Sequence, residues 1–393
     1  MANLQIHRTR FVSGTFNFLR VCRHWNEVAI GSPQLWTLWV PGAVKAWPLF
    51  QSRSKGAPLF LTLQPGLPKS ALDFLADSET PRRIGQLDLV GTNEELGRLV
   101  GSLDSSSVSV TSSICLHDPH RETHGEHLTH FFSLSFPKLS RVDLTIPIPD
   151  PSSSIFTTSN LTSLKLNLFS KYRRHHTASR FSQILRQHPN LRELELRDGA
   201  VPVPETSGAL APVFLPQLVD LRLFGEEAII AEFLRLVDMS SPLHNVLIHF
   251  NYTNAPAAAR VDAMRQIPTA YYECQRLEYP RKVDRFAVSS SPLGSEITFN
   301  AVSFTTPASC QTSNLILHFH GAGSAVAERV IPLFPLKDIR EFTTKGLWFV
   351  TSFWHRMLGK MEGLLHLQLT HLDIGPVLDA PYFDDGGMYR ETT

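Results

Sequence analysis

Apolar and polar positions along the chain fall into one short motif that keeps returning: an apolar residue, two variable ones, a second apolar residue, one variable one and a third apolar residue. It occurs as IGQLDL at Ile84, Leu87 and Leu89, and as LSRVDL at Leu139, Val142 and Leu144. Further copies begin at Leu161 (LTSLKL), Leu191 (LRELEL), Leu218 (LVDLRL), Leu243 (LHNVLI) and Leu364 (LLHLQL). Alternation over the last three residues marks a half-buried strand, because two apolar side chains share one face and the residue between them faces the other way. The pattern predicts a strand at each copy. It also puts Asp88, Asp143, Lys165, Glu195, Arg222 and Gln368 on the opposite, solvent-exposed face, which the repeat would make concave. These six are expected contact residues for a partner, with no catalytic role.

Motif starts at 139, 161, 191, 218 and 243 lie 22 to 30 residues apart, close to the period of about 20 to 29 that leucine-rich repeats show. The weaker segment SSICL, ending at Leu116, fills the wider interval after the first copy. EITFN near Phe299, NLILHF near Leu317 and IREF from Ile339 continue the series with a blurred register from about 250 to 310. Stretches with helical spacing lie between the strands. ASRFSQILRQHP places Phe181, Ile184 and Leu185 on one face and ends at Pro189; EEAIIAEFLRLVDMSSP gathers Ile229, Ile230, Phe233, Leu234 and Val237. Shorter helices are expected from Ala71, Glu94 and Ser352. A strand followed by an amphipathic helix is a unit that buries its apolar face only against neighbours. The expected fold class is therefore α/β, an irregular leucine-rich-repeat solenoid over residues 81–375. The segments from Ile146, Ala200 and Asn251, rich in Pro, Ser, Thr or Ala, read as surface loops.

Composition changes this picture little. Of 393 residues, 42% are hydrophobic and 19% charged, as in a folded protein with a packed core. Lys and Arg number 37 against 36 Asp and Glu, so the formal charge of +1 supplies no long-range field to gather nucleic acid or an anionic membrane. The basic run Lys171, Arg173, Arg174, His175 and His176 sits between apolar segments and reads as a solvated loop. Cys22, Cys115, Cys274 and Cys310 are far apart in sequence and form neither a CxxC pair nor a disulfide framework. The amino terminus lacks the unbroken apolar core of a signal peptide, and no segment has eighteen consecutive apolar residues. An intracellular location, cytoplasmic or nuclear, is expected, and the Asn251-Tyr252-Thr253 sequon is read as incidental.

The first 60 residues do not follow the motif. Phe18, Val21, Cys22, Trp25 and Val28 or Ala29 recur at helical steps, and Gly31-Ser32-Pro33 ends that helix. Leu35, Trp36, Leu38 and Trp39 then offer apolar surface to cap the first strand. LRVCRHWNEVAIGSPQLW, Leu19 to Trp36, resembles the last helix and tail of the F-box in the large fungal family of F-box and leucine-rich-repeat proteins. FQSRSKGAPLFLTL, Phe50 to Leu63, resembles the stretch that commonly comes after the F-box in that family. The family's opening leucine-proline element is absent from MANLQIHRTRFVSGT, so the resemblance implies a partial F-box, carried by Leu19, Val21, Cys22, Trp25, Val28, Pro33, Leu35 and Trp36. It implies a substrate-recognition adaptor of a Skp1-cullin-F-box ubiquitin ligase, with a Skp1-like partner at the head and an unknown protein substrate on the repeats. The alternative is a leucine-rich-repeat binding scaffold that has lost Skp1 docking. The implied organisation is a head over 1–45, a linker and cap over 46–80, the array over 81–375 and a flexible tail over 376–393.

Chemistry-bearing motifs are sparse, and no enzyme activity or cofactor is expected. His117, Asp118, His120, His124, His127 and His130 form the densest cluster of metal-ligand types, but Pro119, Gly125 and the lack of HExxH or a cysteine pair favour an exposed loop. HGAGSA around Gly321, Gly323 and Ser324 lacks the neighbours of a phosphate loop and reads as a turn. Trp348, Phe349, Phe353 and Trp354 have the spacing of a helix packed on strands, so core is expected there.

Overall fold

A computed structural model describes residues 22–64, 66, 80–118, 128–168, 177–239, 245–250, 266–267, 285–290, 296–304, 312–320 and 324–370, apart from 102, 147–149, 151, 159, 199, 203–210, 335, 346 and 348. The chain divides into two compact units, Met1–Leu168 and Phe169–Thr393.

In the first unit the strands are β1 Leu38–Trp39, β2 Leu59–Leu63, β3 Ile84–Val90, β4 Ser113–His117, β5 Arg141–Thr145 and β6 Ser163–Leu168. They pair in parallel and in chain order. Helix α1 Arg23–Gly31 precedes β1. Parallel neighbours need crossovers, and these carry helices α2 Trp47–Ser54, α3 Asn93–Val100, α4 Thr129–Ser133 and α5 Ser154–Thr157. The leucines of the motif face the helices: Leu87, Leu89, Ile114, Leu116, Val142, Leu144, Leu164 and Leu166 are all buried. Leu96 and Val100 of α3, Phe131 of α4 and Phe156 of α5 close over them. Helix α3 starts where its sequence says it should. Thr92 accepts from the Glu95 amide and Glu95 reaches back to the Thr92 amide at 2.9 Å, a reciprocal cap.

A second ladder runs along the entry to these strands. The amides of Ser112, Ser140 and Thr162 donate to the carbonyls of Gly85, Ser112 and Ser140, and their hydroxyls donate to the same oxygens. Buried Thr111 adds a 2.7 Å bond to the Ile84 carbonyl. Gly85 lies at the irregularity between β2 and β3, and a Cβ there would stand 2.8 Å from the Pro58 Cβ.

The second unit holds β7 Glu193–Asp198, β9 Asp220–Gly225, β11 Asn245–Phe250, β12 Arg285–Ser290, β13 Glu296–Phe304, β14 Thr312–His320, β15 Glu341–Lys345 and β16 His366–Thr370, with a small parallel pair, β8 Val213–Phe214 and β10 Val237–Asp238. Helices α6 Ala178–Arg186, α7 Glu227–Leu236, α8 Ser324–Val330 and α9 Thr351–Leu358 interleave. Phe181 of α6 and Phe233 of α7 meet at 6.0 Å over the buried leucines of β7 and β9. Phe353, Trp354, Met357 and Leu358 of α9 are buried, as the aromatic spacing predicts; Trp348 is outside the described residues.

The expected leucine-rich-repeat solenoid is corrected here. The protein is an α/β fold with broad parallel ladders and interleaved helices, and the one-strand-one-helix repeat does not carry through it. In the second unit β14 follows β11 in the sheet, then β13 and β12 in antiparallel pairing, and only then β15 and β16 in parallel. The nine-residue strands β13 and β14 form a meander that no 20-to-29-residue unit contains. The connecting helices range from four to ten residues. The reason the motif misleads is physical: alternating leucines followed by an amphipathic segment report a strand buried on one face beneath a helix, which every covered parallel sheet requires.

The head is corrected as well. On α1 only Ala29 is buried, while Cys22, Trp25 (53%), Val28 and Ile30 are exposed, so the anticipated apolar face covers nothing among the described residues. The cap is built instead by Trp36, Trp39, Trp47 and Phe50. Trp39 stacks on Trp47 at 5.6 Å, Trp36 meets Phe50 at 5.9 Å, and the Trp36 indole donates to the Ala29 carbonyl at 2.7 Å. The Trp39 and Trp47 indoles donate to the Trp36 and Val40 carbonyls at 3.2 and 3.3 Å, so each tryptophan buries its ring while its N–H keeps a partner.

Candidate functional site

The outer face of β7, β9 and β11 gathers the densest set of interacting charged and aromatic side chains among the described residues. Inner positions Leu194, Leu196, Leu221, Leu223, Val246, Ile248 and Phe250 are buried. Their alternates therefore point outward: Glu193, Glu195 and Arg197 on β7, Asp220, Arg222 and Phe224 on β9, and Asn245, Leu247 and His249 on β11. Parallel register sets these in three rows across the strands. Glu193, Asp220 and Asn245 form one row, Glu195, Arg222 and Leu247 the next, and Arg197, Phe224 and His249 the third.

Along the strands and across the rows the groups hold one another. Arg222 grips Asp220 in a two-point bond, Nε to Oδ1 at 3.1 Å and Nη2 to Oδ2 at 3.0 Å, and its Nη1 lies 3.8 Å from Glu195 Oε2. Arg197 Nε donates to the other Glu195 oxygen. The Arg197 guanidinium also lies 4.4 Å from the Phe224 ring centre, and Phe224 meets the His249 ring at 5.3 Å. The bond to Asp220, with the nearby charges of Asp220, Glu195 and Glu193, holds Arg222 above the ordinary arginine range despite partial burial. Three carboxylates face two guanidinium groups, so the cluster carries a net charge of −1 with His249 neutral. Such an array can bind and orient; among the described residues its carboxylates and guanidiniums surround no nucleophile.

Of the six expected contact residues, Glu195 and Arg222 meet directly, and their full solvent exposure is corrected: Asp88 and Glu195 are buried and Asp143, Lys165 and Arg222 half-buried, because same-face side chains of neighbouring strands crowd around them. Asp88, Asp143 and Lys165 belong to the first unit, in one register row with half-buried Cys115 between the two aspartates. Gln368 is exposed on β16, with four strands between it and β11. Sequence reasoning missed Arg197, Asp220, Phe224 and His249. The signal was there: each lies two residues from a position on the same outward face, so extending the alternation beyond three residues reaches them.

Elsewhere the anticipated chemistry does not assemble. Among the described residues no three His, Cys, Asp or Glu side chains are placed to hold a metal ion. His120, His124 and His127 are outside the described residues, while His117 ends β4 and His130 contacts the Leu103 carbonyl at 3.2 Å. The basic run 171–176, the sequon at 251–253, Gly321, Gly323, Cys274 and Cys310 also lie outside. Of the F-box-like positions, Leu19 and Val21 lie outside, Cys22, Trp25, Val28 and Leu35 are exposed, Pro33 is half-buried and Trp36 is buried in the cap. No described helix is long and apolar enough to cross a membrane.

No known protein-family model and no curated protein matches this chain. The resemblance to fungal F-box and leucine-rich-repeat proteins is therefore withdrawn, since neither sequence comparison finds that family and the fold departs from its repeat. With it go the ubiquitin-ligase adaptor, the Skp1-like partner and its substrate, and the alternative of a leucine-rich-repeat scaffold, each of which rested on that likeness.

Proposed function

We propose that this chain acts by binding rather than catalysis, and that the outer face of β7, β9 and β11 receives a basic, extended stretch of polypeptide. The observation that carries this is the interlocked set Asp220, Arg222, Glu195, Arg197, Phe224 and His249. Ion pairs with a partly exposed partner, as Arg197 is at 36% and Arg222 at 44%, contribute only about 0–1 kcal/mol each to folding, so folding gains little from this network even though Glu195 itself is nearly buried. For recognition the same network is useful. Its side chains are already held in place, so less conformational entropy is lost on binding. They stand on a rigid sheet whose other side is packed. Outward positions along one strand repeat every two residues, about 6.6 Å, which is also the side-chain spacing of an extended peptide on one of its faces. The excess of carboxylate and the half-buried aromatic pair Phe224 and His249 favour lysine or arginine side chains on the ligand.

The reading is tested with an array of twelve-residue peptides of graded Lys and Arg content, probed with wild type and with Glu195→Gln. Binding that rises with cationic content and falls in the variant by about 10-fold or more supports it, since a hydrogen bond to a charged group contributes about 1.5–3 kcal/mol. Indifference to peptide charge, or equal binding by the variant, excludes it.

A further inference from the structure

Among the described residues β16 lies at the end of the second unit's sheet, and it does so in an unusual way. Among the described residues β16 pairs on one side only, with β15. An open strand edge invites another strand, and folded proteins usually blunt it with charge, proline or a bulge. The β16 edge carries none of these. Its sequence is HLQLT, without Lys, Arg, Asp, Glu or Pro, and its register with β15 runs unbroken from Glu341↔His366 to Lys345↔Thr370. Cover is also partial among the described residues. Phe342 and Thr344 on β15 are fully buried, yet their register partners Leu367 and Leu369 are only half-buried, and the preceding Leu365 is 69% exposed.

We infer that the β16 edge is a self-association site, at which a second copy of this chain adds its own β16 in antiparallel pairing about a twofold axis through Gln368. The strand is complementary to itself under that operation. Gln368 faces Gln368 of the other copy, His366 faces Thr370, and Leu367 faces Leu369. Directly opposed residues of antiparallel strands share a face, so the four half-buried leucines meet on the packed side and no like charges are brought together. The pairing is isologous and closes at two copies, so it does not propagate. A five-residue edge is smaller than a standard protein interface, so the dimer is weak and reversible and is sought at high concentration. The inference is independent of the peptide-binding face.

The test is the solution mass of the full chain by light scattering at about 100 μM, for wild type, Gln368→Lys and Gln368→Cys. Gln368 is exposed, so neither substitution disturbs packing. Wild type is expected to move from 44.1 kDa toward twice that mass, and Gln368→Lys, which sets two ammonium groups across the axis, to remain monomeric. With exposed Cys22 replaced by Ser in both proteins, Gln368→Cys is expected to form a covalent dimer on oxidation that the chain with Gln368 does not form, since Cβ atoms of an opposed pair lie about 4.5–5.5 Å apart. A monomeric wild type, its edge open or covered by residues 371–393 or by another protein's strand, overturns the inference. So does a dimer that survives Gln368→Lys.

Discussion

Replacing Arg222 with methionine separates a recognition cluster from a structural one. The substitution keeps a long unbranched stem on β9 while removing the two-point bond to Asp220 and the 3.8 Å interaction with Glu195. The Arg222 side chain is 44% exposed and Asp220 is 19% exposed, so water screens the pair and most of its Coulomb energy is already lost to solvent. Glu195 is the costlier partner to strand, because its side chain is nearly buried; Arg197 remains bonded to it and offsets that cost. Together these place the stability loss at about 1 kcal/mol. For a unit of some 150–250 residues this lowers Tm by about 2–4 °C. The effect should shrink in 1 M salt, where the screening length is about 3 Å. Peptide binding is expected to change by a larger factor, since the middle row loses the group that holds both acids in place. Thermal melts at two salt concentrations and a titration with a cationic peptide read the two quantities separately. A fall in Tm above about 10 °C, well beyond that range, or a stability loss that salt leaves untouched, refutes the reasoning, because it would make the cluster part of the folding core.

Four other substitutions address the frame. Gly85→Ala forces a Cβ to 2.8 Å from the Pro58 ring at the β2–β3 irregularity and is expected to cost about 1–3 kcal/mol, read by urea denaturation, whereas Gly56→Ala, with open space around its Cβ position, should pass without a clash. Thr111→Val deletes the buried 2.7 Å bond to the Ile84 carbonyl at nearly constant volume, with an expected loss of about 1–3 kcal/mol in the same assay. Asp104 is held at a pKa of about 2, below its ordinary 3.8, by the hydroxyls of Ser107 and Ser106 and the Ser107 amide. A depressed folded-state value means that its ionised form supports the turn above pH 3.8 and that this support is lost as pH falls through about 2. Ser107→Ala should raise the Asp104 midpoint toward 3.8 in an NMR titration; an unmoved midpoint would show that the hydroxyl is not its main cause.

Where strands lie was legible from residues such as Leu87, Leu89, Leu221 and Leu223, because burial of one face imposes a period of two whatever the fold around it. Helices α6 and α7 were legible for the same reason at the helical period. What the strands build was not. The pairing of β14 with β11 and of β12 with β15 depends on which edges are free once β11 has formed, and the leucine pattern carries no record of that choice. At the head, the helical spacing of Trp25 and Val28 was read correctly as α1, but spacing states that a helix has an apolar face, not that anything lies against it. The site was half legible. Glu195 and Arg222 follow from alternation alone, while the bond joining them and the stacking of Arg197, Phe224 and His249 arise only when the register sets separate strands side by side.

The binding face itself is tested most directly by calorimetric titration of one lysine-rich twelve-residue peptide into wild type and into Glu195→Gln/Asp220→Asn, at low and high salt. Saturable binding to wild type is predicted, weakening with salt and lost, by about 10-fold or more, in the double variant with its fold intact by circular dichroism. Equal affinity in the two proteins, or equal affinity for an acidic peptide of the same length, would contradict a carboxylate-built recognition face.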